Sequence, residues 1–204
     1  MTLYCATSNP GKLREFRLAA GEQFQIVPLP GLEELTRIEE TGESFEANAI
    51  QKAVYYSAHA PGLLFADDSG LEVDALGGAP GVRSARFAGR FATDEANNRL
   101  LLEKLRHITD RAARFVCAIA LAEQSRLLAT FRGVVEGRIL DRPRGQNGFG
   151  YDPLFFHPPF ACSLAEVSAE QKFTVSHRGQ ALRAMLEWVG IHRRDAETQR
   201  RDWS

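Results

Sequence analysis

Two neighbouring runs, 114–121 and 127–135, alternate or run apolar and are rich in β-branched and aromatic residues, which predicts two long strands. Any fold for this chain has to accommodate them. Upstream, residues 3–7 read as a short buried strand running into Ser8-Asn9-Pro10-Gly11, four strong turn formers. A helical pattern follows over 12–20, with Leu13, Phe16 and Ala20 on one face and Gly21 as its stop. Residues 25–27 form another strand, closed by Pro28 and Pro30, and 32–44 is acidic and irregular. A helix is expected over 45–59, ended by Pro61-Gly62. The apolar strand Leu63-Leu64-Phe65-Ala66 then ends on an acidic turn, Asp67-Asp68-Ser69-Gly70, and 71–76 alternates as a further strand. Thr93 followed by Asp94 and Glu95 marks a helix start, with Leu101, Leu105 and Ile108 at helical spacing. A last helix starts near Ser176 and carries Ala181, Leu182, Met185, Leu186 and Val189. Strands and helices mix without strict βαβ alternation. The expectation is therefore an α/β fold: a long twisted mixed β-sheet with flanking helices, and two lobes around a central cleft.

The chain has 204 residues, which fits a single domain over 1–190 followed by a polar, frayed tail over 191–204. Its formal net charge is -1, whereas a protein that coats nucleic acid carries a clear basic excess. A small anionic ligand needs only a local basic cluster. The three cysteines, Cys5, Cys117 and Cys162, show no CxxC spacing, which favours free thiols over a disulfide scaffold or a zinc site. No apolar run approaches the roughly 18 residues of a membrane span, and the first seven residues have no signal-peptide character. The expected location is the cytoplasm.

Five segments carry candidate chemistry, each with a plainer reading beside it. The turn Thr7-Ser8-Asn9-Pro10-Gly11-Lys12 enters a helix, and helix N-termini attract phosphate, although a plain β-to-α connection looks the same. It is not a Walker A loop. Glu39-Glu40-Thr41-Gly42 precedes Asn48 and Lys52, which share a helical face, as a solvated face also would. In Asp67-Asp68-Ser69-Gly70, turn chemistry accounts for the glycine and one acid but leaves the second acid unexplained. Paired carboxylates suit Mg²⁺, which takes one or two of them together with substrate phosphates. Gly148-Phe149-Gly150-Tyr151-Asp152-Pro153 lets backbone and ring approach a flat base, or packs its own aromatics as a tight loop. Finally, Lys172 precedes Ser176-His177-Arg178-Gly179, where Arg178 in a first helical turn opposes the helix dipole unless an anion sits nearby.

None of these segments is diagnostic alone. In this order and spacing, together with Leu76-Gly77-Gly78-Ala79-Pro80-Gly81 and Gln180-Ala181-Leu182, the chain resembles the Ham1 family of inosine/xanthosine triphosphate pyrophosphatases over nearly its whole length. That resemblance implies homodimeric, Mg²⁺-dependent enzymes that cleave ITP, dITP and XTP to the monophosphate and pyrophosphate. By position, Asp68 would be general base and metal-linked carboxylate, and Glu39, in preference to Glu40, a second metal-associated acid. Thr7 to Lys12, Lys52 and Ser69 would hold the triphosphate. Phe149, Gly150, Tyr151, Asp152, Lys172, His177 and Arg178 would frame base and sugar. Ser8 replaces the glycine usual in the family's first turn. Two rival functions are a Maf-like pyrophosphatase acting on dTTP or UTP, and a nucleotide sensor without catalysis.

Overall fold

The computed structural model describes residues 1–201, with Ala19 and 193–201 described in backbone only. In chain order the elements are β1 (Thr2–Cys5), α1 (Pro10–Ala19), β2 (Gln25–Pro28), α2 (Phe45–Ser57), β3 (Leu64–Val73), α3 (Asp94–Lys104), β4 (Ala112–Glu123), β5 (Arg126–Ile139), β6 (Phe155–His157), β7 (Cys162–Ser163), α4 (Ala169–Val175) and α5 (His177–Arg201). The seven strands form one mixed sheet in the order β2-β1-β3-β4-β5-β6-β7. β1 runs parallel to β2 and β3, and every later pair is antiparallel.

The two long strands foreseen in sequence are β4 and β5. They meet at Gln124 and Ser125, whose φ values of 48° and 62° place both in the left-handed backbone region that a two-residue hairpin turn uses to match the right-handed twist of its strands. Helices cover both faces. On one, Phe16 of α1 and Met185 of α5 pack on Phe65, Ile119 and Leu121; on the other, Ala49 and Ala53 of α2 pack on Leu64, Ala66 and Ala118. A third cluster, with Leu101, Phe115 and Phe155, fills the end of the sheet under α3. Cys5, Cys117 and Cys162 are all free thiols, the first two buried in strands.

Several boundaries differ from the sequence expectation. α1 starts at Pro10, not Lys12, because the Asn9 side chain accepts from the N–H groups of Gly11 and Lys12 and Pro10 needs no N–H at the first helical position. The last helix runs on to Arg201 instead of giving way to a frayed tail at 191, and 202–204 lie outside the described residues. Strands β6 and β7 and helix α4 were not foreseen. Their apolar residues are too few to show a period.

The largest correction concerns the acidic turn. Asp67 and Asp68 lie in the middle of a single ten-residue strand, β3, which also absorbs the first half of the strand expected over 71–76, while Asp74–Leu76 forms a short 3-10 turn instead. Local turn propensity loses because the whole segment finds an unbroken antiparallel partner in β4, from Leu64↔Ala122 to Val73↔Ala113. Gly70 meets a packing need: a Cβ there would lie 2.2 Å from the Ser84 hydroxyl. On its other side β3 pairs with β1 only at Tyr4↔Leu64 and Cys5↔Phe65. Beyond Phe65 no strand pairs with that edge; it stays open past Asp67 and Asp68 until Leu71 bonds Ser84 and Glu72 bridges to Pro80. Successive side chains alternate, so Asp67 and Ser69 face α1 and α5 while Asp68 faces α2.

Gly133 of β5 sits beneath the first turn of α5. A Cβ there would fall 2.1 Å from the His177 carbonyl oxygen and 2.8 Å from the Ala181 nitrogen, both backbone atoms that cannot step aside. Gly133→Ala is expected to destabilise the protein by about 1–3 kcal/mol, read as a lower urea midpoint; an unchanged midpoint would show that the helix is not seated this closely.

Candidate active site

A cleft of about 930 Å³ opens along the free edge of β3. At one end two lysines reach the paired acids from opposite faces of the sheet. Lys12 Nζ is 2.7 Å from Asp67 Oδ2. Lys52 Nζ is 2.8 Å from Glu40 Oε1 and 3.7 Å from Asp68 Oδ1. Asp68 also accepts from Asn48 Nδ2 at 2.9 Å and from its neighbour's amide, Ser69 N, at 3.1 Å.

Burial and charge divide the two acids. Burial pushes the Asp68 carboxyl above its ordinary value, and Lys52 and Lys12 do not fully reverse this. Burial also pushes Asp67 up, but Lys12, Lys52 and Arg178 outweigh it and hold that carboxyl low. Asp67 is thus held as an anion, and Asp68 is the more readily protonated of the two. Burial opposes the charge on Lys52, yet Asp68, Asp67 and Glu40 keep it a cation.

At the other end, Phe149 lies under two cations, with the Arg178 guanidinium 4.8 Å and Lys172 Nζ 5.0 Å from the ring centroid. Gly11 is required where it stands, because a Cβ there would come within 2.9 Å of the Phe149 ring. Behind the ring is a buried charge network. Lys172 Nζ bonds Glu15 Oε1 at 2.7 Å and Asp152 Oδ2 at 2.5 Å. Arg178 Nη1 bonds Glu15 Oε2 at 3.0 Å, and Nη2 donates to Ser69 Oγ at 3.0 Å. Glu15 is the anion that offsets the helix-dipole conflict noted at Arg178. Burial pushes the Glu15 carboxyl up, but Arg178 and Lys172 more than compensate and leave it below the carboxylate norm.

The chain matches the Ham1 family over residues 3–188. It belongs to that family. It is 50% identical over 196 residues to a dITP/XTP pyrophosphatase of Acidobacterium capsulatum, covering 91% of this chain and 97% of that protein. It is 51% identical over 186 residues to a dITP/XTP pyrophosphatase of an Exiguobacterium species, covering 91% and 95% respectively. Among solved structures, the Staphylococcus aureus Ham1 protein superposes with a TM-score of 0.84 at 39% identity, covering 94% of this chain and 100% of that one.

In this Ham1 chain the cleft gathers many of the residues singled out in sequence. Thr7, Ser8, Asn9, Lys12, Lys52, Asp68, Ser69, Arg178 and Phe149 to Asp152 all line it. Pro10 starts α1 at its rim. Glu39, Lys172 and His177 are not among its lining residues. Glu39 is exposed, and its neighbour Glu40 meets Lys52 in the cleft; adjacent positions in an irregular segment carry no periodicity from which to choose between them. Lys172 is buried and paired with both Glu15 and Asp152. His177 is 1% exposed and stacks on Phe115 at 4.8 Å, and burial, with Arg178 and Lys172, keeps it neutral.

Sequence reasoning missed Glu15, which looked like one charge on an amphipathic helix. It read Asp94 only as a helix-start residue. Asp94 Oδ2 accepts from Gly150 N at 2.6 Å and Asn98 Nδ2 donates to Gly150 O at 2.9 Å, so α3 holds both backbone groups of the Phe149 loop.

Glu15→Gln should destabilise by about 3–5 kcal/mol at pH 7, because it leaves two buried cations short of their anion. Since the native carboxyl lies below its unfolded value of 4.5, its contribution is full above that pH and is lost as pH falls through the native value. Urea titrations should therefore show a constant gap between wild type and variant from neutrality to the carboxylate range, narrowing only in acid; a gap that widens in acid would contradict the assignment.

Proposed function

We propose that this cleft hydrolyses deaminated purine nucleoside triphosphates, dITP, ITP and XTP, to the monophosphate and pyrophosphate, so removing them from the nucleotide pool. The observation that carries this reading is the convergence of Lys12 and Lys52 on Asp67 and Asp68 at the open edge of β3, beside the N-terminus of α1. A triphosphate laid along that edge meets a helix N-terminus and two mobile-headed cations from opposite faces.

The residues fit a divalent metal. Glu40 and Asp68 present hard carboxylate oxygens, and the space between them already accepts a cation in the form of the Lys52 ammonium. We take the metal to be Mg²⁺, held by Asp68 and Glu40, with its remaining ligands drawn from substrate and water. When bound it would supply charge neutralisation of the phosphate oxygens. Asp68 takes the proton of the attacking water, and attack falls on the α-phosphorus, releasing pyrophosphate. Lys12 and Lys52 turn from their carboxylates to the leaving group. Thr7, Ser8 and Ser69 add hydroxyls along the phosphate chain.

At the base end, Phe149 offers a ring face and Arg178 a guanidinium whose Nε has no partner among the described residues. Guanidinium can only donate, so a 6-keto oxygen satisfies it and the 6-amino group of adenine does not. Tyr151 and Asp152 serve the base pocket by bracing its loop, Tyr151 through a 2.8 Å bond from its hydroxyl to the Ser84 carbonyl. Lys172 and His177 support Arg178 and Phe149 from behind. No helix among the described residues is long and apolar enough to cross a membrane, and we place the enzyme in the cytoplasm, as a homodimer.

Incubation with ITP, XTP, ATP, GTP and dTTP in the presence of Mg²⁺ should give IMP and pyrophosphate from ITP and only slow turnover of ATP. IDP and phosphate as products, or equal rates on ATP, would overturn the assignment; preference for dTTP would favour the Maf-like activity, and tight ITP binding without products the sensor. Asp68→Asn should lower kcat by about 10²–10⁴-fold with an unchanged circular dichroism spectrum, and EDTA should abolish activity until Mg²⁺ is restored.

A further inference from the structure

Asn48 is fully buried in α2, one helical turn before Lys52 and on the same face. Its side-chain amide makes two bonds in opposite senses. Nδ2 donates to Asp68 Oδ2 at 2.9 Å, and Oδ1 accepts from Gly42 N at 2.8 Å. A carboxylate requires a donor and an N–H an acceptor, so only this orientation of the amide satisfies both. Gly42 lies two residues after Glu40 and is pressed against the start of α2: a Cβ there would sit 2.6 Å from Asn48 Oδ1 and 2.8 Å from Ala47 Cβ. The irregular acidic segment is thus docked on α2 at the one point where Asn48 can reach both it and β3.

We propose that Asn48 is a positioning residue for the hydrolysis, tying the Asp68 carboxylate to the segment that bears Glu40 so that the two acids stand at a fixed separation before substrate enters. The inference rests on the reading of Asp68 and Glu40 as the working carboxylates. With Ser69 N on one oxygen and Asn48 on the other, the plane of the Asp68 carboxylate is fixed. An untethered base would rotate, and small misplacements of a reacting group are costly in rate. The tether is neutral. It orients Asp68 without adding another full positive charge beside an acid that must take up a proton.

Three variants of the full chain separate the two bonds. Asn48→Ala removes both. Asn48→Asp, measured at a pH where its carboxyl is ionised, retains an acceptor for the Gly42 amide but offers Asp68 no donor. Gly42→Ala keeps both hydrogen-bonding groups but crowds the docked segment off α2 and Asn48. For each, kcat and KM with ITP are measured, together with Mn²⁺ affinity by calorimetry without nucleotide and amide exchange at Gly42 by NMR. Asn48→Ala should lower kcat by about 10- to 100-fold with KM unchanged, weaken Mn²⁺ binding and accelerate Gly42 exchange. Asn48→Asp should lose kcat while Gly42 stays protected, and Gly42→Ala should weaken Mn²⁺ binding. Wild-type kcat and Mn²⁺ affinity in folded Asn48→Ala would overturn the proposal, as would a rise in KM at constant kcat. If that variant fails to fold, Asn48→Asp decides by the same readouts. A wild type that turns over neither ITP nor XTP would instead sink the functional reading, and Gly42 exchange with Mn²⁺ affinity would still decide the tether.

Discussion

Strand β1 stops at Cys5 while its neighbour β3 continues to Val73, and the site depends on that mismatch. Where β1 ends, β3 has a strand on one edge only. The alternation of a strand would otherwise have sent Asp67 and Asp68 to opposite faces of a closed sheet, with helices between them and any common ligand. At an open edge, groups from both faces reach around to one line. Lys12 arrives from α1 and Lys52 from α2, and each acid is influenced by both. The same termination of β1 places the start of α1, with the positive end of its dipole, at that edge.

The charges are arranged so that each has a separate task. Asp67, Glu15 and Glu40 are held as anions by adjoining cations. Asp68 alone of the acids facing α2 combines an upward shift with a place in the cleft. The network of Glu15, Lys172, Asp152 and Arg178 is buried, and a set of such charges is costly unless every member is paired. Its members come from α1, the Phe149 loop, α4 and α5, so pairing them fixes the base end of the cleft relative to the phosphate end. Glu15 lies three residues beyond Lys12 on the same helix, which joins the two ends through a single rigid element.

Much of the fold was legible. Long apolar strands and capped helices follow from periodicity and cap chemistry, which act locally. Two kinds of feature were not. Asp67 to Gly70 has turn composition, yet it forms strand because β4 supplies a continuous ladder that no local rule contains. Glu40 was indistinguishable from Glu39 until the docking of Gly42 on Asn48 set the direction of the segment. Glu15 carried no signal, since a glutamate on a helix face is ordinary until its partners, 157 and 163 residues away in sequence, are known.

By itself the sequence determined the chemistry available: which acids, lysines and aromatic residues the chain owns, the order in which they occur, and through that order the family. These depend on residue identity and spacing, which the chain carries wherever it folds. Only the tertiary structure decided their division of labour. It pushed the Asp68 carboxyl up and held that of Asp67 low, brought Glu40 and not Glu39 to Lys52, and set Lys172 and His177 in the buried wall behind the cleft. The physical reason is that burial, pairing and direction belong to the surroundings of a side chain, and those surroundings are assembled from segments far apart in the chain.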